Sequence, residues 1–199
     1  MSVLIATSLT PVAILLLGTI ARERIHAYRL EPLRIGVRTM LISIGVTGVR
    51  GFLASRGIGG ADTSLLFAIA AVAAFTDLQY GYVFDRVLLA GGAGLIIAAA
   101  VREGVGAALA GAAAGAVTLA VPWALSRARG LGLGDVKLAG VLGCGLGLYG
   151  TLRAIWYAFV IGAIVSMGYI LRRRSRGDAL PFAPFLALGA LLSTGVTAW

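Results

Sequence analysis

Three of the eight acidic residues in this 199-residue chain stand where an acid is costly. Asp77 follows the apolar and small run from Ser64 to Thr76, in a segment that continues apolar through Val83 and Phe84. Asp135 sits in Gly132-Leu133-Gly134-Asp135 at the start of a short apolar run, and Asp85 lies just past Asp77. An Asp at the centre of a membrane span costs roughly 2.5 to 3.5 kcal/mol, so each needs a partner or a purpose. Glu23, Glu31, Glu103 and Asp178 are each close to an Arg, and Asp62 is in a polar stretch, so these read as solvated. If Asp77 and Asp135 meet, the two carboxyls cannot both ionise cheaply; one keeps its proton, and the pair can hold a water between an acid and a base. That arrangement performs aspartic peptide hydrolysis, with no metal, cofactor or covalent intermediate. Gly132 and Gly134 put no side chain beside the acid and let a second backbone, helix or substrate, come close. The same two acids also suit a small proton-coupled transporter, a non-catalytic assembly subunit, or an ion pair with Arg86, Arg129 or Lys137. A transporter predicts an inverted repeat with broken helices in matching positions, and none is visible.

The elements that must bring these acids together are membrane helices. The chain is 59% hydrophobic and only 13% charged, with a mean hydropathy of +0.96, well above soluble composition. Apolar runs extend over Val3–Ile20, Ile35–Leu53, Ser64 to about Phe84, Val87–Val101, Gly104–Leu125, Leu138–Gly150, Ala154–Leu171 and Ala179–Ala198. The expected fold is therefore all-α: a polytopic transmembrane helical bundle of six to eight spans, eight being the favoured count, in a single integral membrane domain over residues 1–199. The second run contains Arg38 and Arg50 and the sixth is short, so these two define the lower count. The first run lacks a basic flank before it and reads as a retained span. A single cysteine, Cys144, excludes an internal disulfide and a soluble zinc-binding insert.

Charge sets the orientation. The net +9 is an orientation signal in so apolar a chain, with no water-exposed basic face for nucleic acid. With Arg172–Asp178 on the cytoplasmic side, alternation puts Ala21–Arg34, Asp77–Arg86 and Ser126–Lys137 there too. These stretches hold 12 Lys and Arg against three (Arg56, Arg102, Arg153) on the other side. Asp77 and Asp135 then fall at the cytoplasmic ends of their helices, in a multi-pass protein of the cell membrane with both chain ends outside.

Three blocks carry a resemblance. Gly132-Leu133-Gly134-Asp135-Val136-Lys137-Leu138 resembles the GxGD signature, followed by Val-Lys-Leu, of the type IV prepilin peptidase family, which includes the preflagellin peptidases. Asp77-Leu78-Gln79 with Val83, Arg86 and Val87 is similar to that family's first catalytic block, and Leu180-Pro181-Phe182-Ala183-Pro184-Phe185-Leu186-Ala187-Leu188-Gly189 to its last-span segment. The resemblance implies that Asp77 and Asp135 are the catalytic aspartates. It also implies a substrate: a type IV pilin-like or archaellin-like precursor whose short basic leader is cut at the cytoplasmic face, commonly after a Gly. Many bacterial members also methylate the new terminus, so S-adenosylmethionine is implied only if this chain is bifunctional. Three positions depart from the pattern: Phe84 where Pro is usual, Asp85 where Asn is usual and Ala183 where Gly is usual. The Ala21–Arg34 loop has no Cys, unlike the Cys-x-x-Cys domain of longer members, so the chain looks like a compact peptidase.

Other conspicuous residues have plainer readings. Lone His26 has no second His with which to bind a metal. Tyr80, Tyr82, Trp123, Trp156, Tyr157 and Trp199 suit interfacial anchors better than a substrate cage. Lys137 either steers a substrate carboxylate or snorkels to the headgroups, the latter being preferred, and Cys144 reads as a small packing residue.

Overall fold

A computed structural model describes residues 61–102, 104–126, 131–171 and 181–196. These form five helices: α1 (Ala61–Tyr80), α2 (Asp85–Arg102), α3 (Val105–Leu125), α4 (Leu133–Leu171) and α5 (Ala183–Val196). No strand occurs among the described residues, in agreement with the all-α expectation. By length and composition α1, α3 and α4 can each cross a membrane. The expected spans Val3–Ile20 and Ile35–Leu53, His26, Arg129, Trp199 and the Arg172–Asp178 loop lie outside the described residues, which therefore do not reach the expected count of six to eight spans.

Two expected boundaries move. The helix of Asp77 does not run on to Phe84 but stops at Tyr80, because Gly81 adopts φ +63 and its N–H bonds back to the Asp77 carbonyl at 2.8 Å. A left-handed residue at this place ends a helix, and Gly takes it without a Cβ clash. The helix of Asp135 begins at Leu133, not Leu138. Asp135 is its third residue, and its carboxylate accepts the Gly132 N–H at 3.2 Å while its own N–H bonds the Gly132 carbonyl at 3.1 Å. An acid at this position satisfies the donor left over at the helix start.

The expected sixth and seventh runs both lie in α4, divided at Gly147, whose φ 67, ψ 179 only glycine adopts readily. The chain reverses there. Segment 133–146 runs from the Asp77 end of α1 to the Leu66 end, where Gly145 lies against Leu66. Segment 148–171 returns: Gly150 lies beside Ser193 near one end of α5, and Gly162 beside Phe185 near the other. Thr151 donates to the Gly147 carbonyl at 2.6 Å, and Ser193 to the Gly150 carbonyl at 2.7 Å, so the carbonyls at the reversal are satisfied internally.

Lipid offers no hydrophobic drive between spans, so close packing holds them, and small residues permit it. The Gly106–Ala116 stretch serves this purpose: Gly111 meets the backbone of Gly143, and Gly115 that of Ala139. Gly189 of α5 similarly touches the Ala154 backbone. α1 is the enclosed centre, with Leu66, Ala68, Ile69 and Ala73 all but inaccessible, while Leu89, Ile97, Leu125, Ile164 and Leu171 face outward as lipid-facing side chains do.

Candidate active site

Three helix ends converge on one small cavity. Asp77, a turn before the end of α1, is only 8% exposed, and its Oδ2 accepts the main-chain N–H of Ala183 at 3.0 Å. That donor exists because of how α5 starts. The Phe182 carbonyl accepts the N–H groups of Phe185 and Leu186, and Pro184 has none to give. Ala183 therefore holds the one N–H of the first turn that no backbone acceptor satisfies, and the Asp77 carboxylate takes it.

Asp135 is 7% exposed. Its Oδ2 is held by Gly132, whereas its Oδ1 is buried with no hydrogen-bond partner. Both aspartates line a cavity of about 200 Å³ together with Gly81, Tyr82, Val83, Asp85, Gly132, Leu133, Gly134 and Lys137. The two acids expected to do chemistry are thus side by side at one end of the bundle, although they come from different helices. Gly132 and Gly134 line the same space. A Cβ on Gly134 would press on the Val83 side chain at 3.2 Å, and one on Gly132 would sit 3.3 Å from Asp135 Oδ2.

Lys137 and Asp85 form an ion pair at 2.8 Å across the cavity rim, joining the starts of α2 and α4, with side chains 45% and 63% exposed. Asp85, in the first turn of α2, is therefore a surface partner for a lysine and not a third buried acid. At such exposure the pair is worth at most about 1 kcal/mol. Tyr82, expected from the sequence to be an anchor, lies on the cavity wall beside Phe84, ring centroids 5.8 Å apart, whereas Trp156 lies exposed on the outer surface. Cys144 is buried, as a packing residue would be. Sequence reasoning misses the Ala183 N–H, since a main-chain donor has no residue type; the available signal is Pro184, which leaves the first turn a single unclaimed donor. Among the described residues no group of three or more His, Cys, Asp or Glu is placed to hold a metal.

Two buried carboxyls, each held by a helix-start N–H and one of them with an orphan oxygen, can grip a water and a polarised carbonyl together. A profile described as the type IV leader peptidase family matches residues 65–167, which include both aspartates. Proteins named prepilin leader peptidase/N-methyltransferase are similar. The one from Bacillus subtilis is 40% identical over 88 residues, 44% of this chain and 35% of that protein. The one from Burkholderia pseudomallei is 35% identical over 169 residues, 78% of this chain and 53% of that protein. The one from Aeromonas salmonicida is 34% identical over 103 residues, 47% of this chain and 35% of that protein. The chain thus spans between about a third and a half of the length of these relatives. No solved structure gives a significant match.

Proposed function

This chain belongs to the type IV leader peptidase family, and from that premise we propose that it is a membrane-embedded aspartic endopeptidase. Its substrate is a type IV pilin-like or archaellin-like precursor, from which it removes the short basic leader at the cytoplasmic face of the cell membrane. The observation that carries this reading is the pair of buried carboxylates, Asp77 and Asp135, on one small cavity at one end of a helical bundle.

In the proposed reaction one carboxylate takes a proton from water as the water oxygen bonds the scissile carbonyl carbon. The other carboxyl gives its proton to the carbonyl oxygen, producing a gem-diol. On collapse a diol hydroxyl returns a proton to the second carboxyl. The first passes its proton to the nitrogen as the C–N bond breaks, and both aspartates regain their starting states. A helical peptide bond has its carbonyl committed to a helix hydrogen bond, so the scissile segment is extended where it meets the pair. A Gly at the junction suits that, and Gly132 and Gly134 keep the approach free of side chains. The cytoplasmic orientation rests on the excess of Lys and Arg in the stretches flanking this end of the bundle. Neither the family nor the arrangement of helices favours the proton-relay transporter.

The relatives' names include N-methyltransferase. The described residues do not fit S-adenosylmethionine. The 200 Å³ cavity is smaller than ordinary cofactor pockets, roughly 300 Å³ and above. A larger groove of about 740 Å³ between α2, α3 and α4 is apolar apart from Arg86 and the mutually paired Asp85 and Lys137.

The test is incubation of the detergent-purified chain with a synthetic precursor, with products read by mass spectrometry. Asp77→Asn and Asp135→Asn are each expected to lower cleavage by at least about 10²-fold. Asp85→Asn, which loses only an exposed pair, is expected to stay active. An active Asp77→Asn beside an inactive Asp85→Asn would overturn the assignment.

A further inference from the structure

The two aspartates are not equivalent. Asp77 receives the Ala183 N–H at 3.0 Å from the start of α5, and Asp135 lies in the first turn of α4, so each acid is near a helix's partial positive end and the difference lies in their oxygens. Among the described residues, the buried carboxylate oxygen that lacks a partner belongs to Asp135 and not to Asp77. Asp135 receives the Gly132 N–H at 3.2 Å on Oδ2, but its Oδ1 is buried and unpartnered. A buried anionic oxygen with no donor is costly, whereas the same oxygen carrying a proton becomes a donor and can be turned to a carbonyl. The other polar groups facing the cavity do not reverse this asymmetry. Asp85 and Lys137 pair with each other at the rim, and Tyr82 is the remaining titratable group among the described residues there.

We propose that the main-chain N–H of Ala183 is a positioning group that fixes Asp77 as the ionised base and leaves Asp135 as the proton-bearing acid. Asp77 then takes the water's proton and later delivers it to the leaving nitrogen, while Asp135 Oδ1 protonates the scissile carbonyl oxygen and is reprotonated from the diol. The inference rests on the peptidase reading and refines it. The α5 start, more than a hundred residues from Asp77 in sequence, thereby becomes part of the machinery through its backbone. Its requirement for a bare N–H also accounts for why Ala, with its small side chain fully buried, is accepted at position 183.

Ala183→Pro removes this N–H at a helix position that proline suits, but its ring adds bulk at a buried site beside Asp77. Replacing Ala183 by its hydroxy-acid analogue, lactate, removes the same hydrogen by turning the amide into an ester, and covers the case in which the proline variant fails to fold. Without the donor the shared proton moves toward Asp77, the unproductive arrangement. The expected result for either variant is a kcat lower by about 10-fold or more with KM for the synthetic precursor unchanged. Ala183→Gly, which keeps the N–H, is the conservative comparison and is expected to retain several-fold more kcat than either donor-less variant. If Asp77 were instead the acid, loss of the donor would leave kcat unchanged or raise it, and that result overturns the assignment. So does a loss expressed in KM alone. A wild-type chain that leaves the precursor whole overturns the peptidase reading itself and this inference with it, which separates the two failures.

Discussion

The contact between α3 and α4 offers a way to move Asp135 without touching it. Gly115 lies on the Ala139 carbonyl, one helical turn beyond Asp135, and Gly111 lies on the Gly143 carbonyl, one turn farther along. A Cβ at either glycine would fall well inside contact distance of a backbone oxygen that cannot swing away, so the helices must part by about 1 Å to restore ordinary separation. Overpacking of this kind costs typically about 1 to 3 kcal/mol. The two sites therefore suffer a similar steric insult at different distances from the cavity. At Gly115 the displacement is passed directly to the start of α4, and a misplacement of about 1 Å at reacting groups can cost about 10²-fold in rate. At Gly111 it is taken up near the Gly147 reversal. Gly106, where a Cβ would meet nothing within 4 Å, serves as the control, and Ala there gains up to about 1 kcal/mol of helix propensity. Melting temperature and precursor cleavage measured on Gly115→Ala, Gly111→Ala and Gly106→Ala test this. Both contact variants are expected to melt lower than wild type, Gly115→Ala to cleave about 10²-fold more slowly, Gly111→Ala to lose less than about tenfold, and Gly106→Ala to lose nothing. A Gly115→Ala protein with wild-type stability and rate would show that α3 and α4 do not meet backbone to backbone, and the reasoning would fall.

Three further outcomes are expected. Gly147→Ala forces a side chain into a backbone region that only glycine occupies readily, and a loss of about 1 to 3 kcal/mol should appear as a lower melting temperature; an unchanged value would mean that the chain does not reverse at this residue. Single cysteines placed in the Ser126–Arg129 and Arg172–Arg176 stretches of a Cys144→Ser background should react with an impermeant thiol reagent only from the cytoplasmic side, and labelling from outside intact cells would refute the orientation drawn from the charges. Replacing the junction Gly of the precursor with a bulky β-branched residue should stop processing while trimming leader basic residues only weakens it; equal cleavage of the Gly and bulky precursors would show that the cavity does not select the bond by backbone access.

The chemistry is more legible in the sequence than the boundaries around it. An acid within an apolar run is conspicuous because lipid penalises it, so Asp77 and Asp135 stand out from their neighbours by residue type alone. The reversal at Gly147 is hidden because it is one of a regular series, Gly143, Gly145, Gly147 and Gly150, and hydropathy passes over all of them alike; the Arg153 charge draws the expected boundary too far along. The α4 start is hidden for a related reason: Asp135 draws notice as a chemical group, whereas it is also the residue that caps its own helix. The pairing of Lys137 with Asp85 depends on α2 and α4 beginning side by side, a tertiary fact that neither local sequence carries.

The brevity of segment 133–146 bears on how the bilayer meets this protein. About four turns of helix cover about 20 Å, against a hydrocarbon thickness of about 30 Å. Exposed Tyr149, two residues past the reversal, suits the headgroup level and puts the Gly147 end at one boundary. The Asp135 end then stops about 10 Å short of the opposite one. Hydrophobic mismatch of this size draws the lipid surface down locally or admits a column of water beside the helix start. On the proposed reading the aspartates lie at the bottom of a dimple in the membrane, where a precursor's backbone can leave the hydrocarbon before its apolar helix has reached the general level of the surface. The same reading makes acyl chain length a determinant of turnover, through the count of residues between a carboxylate and a glycine.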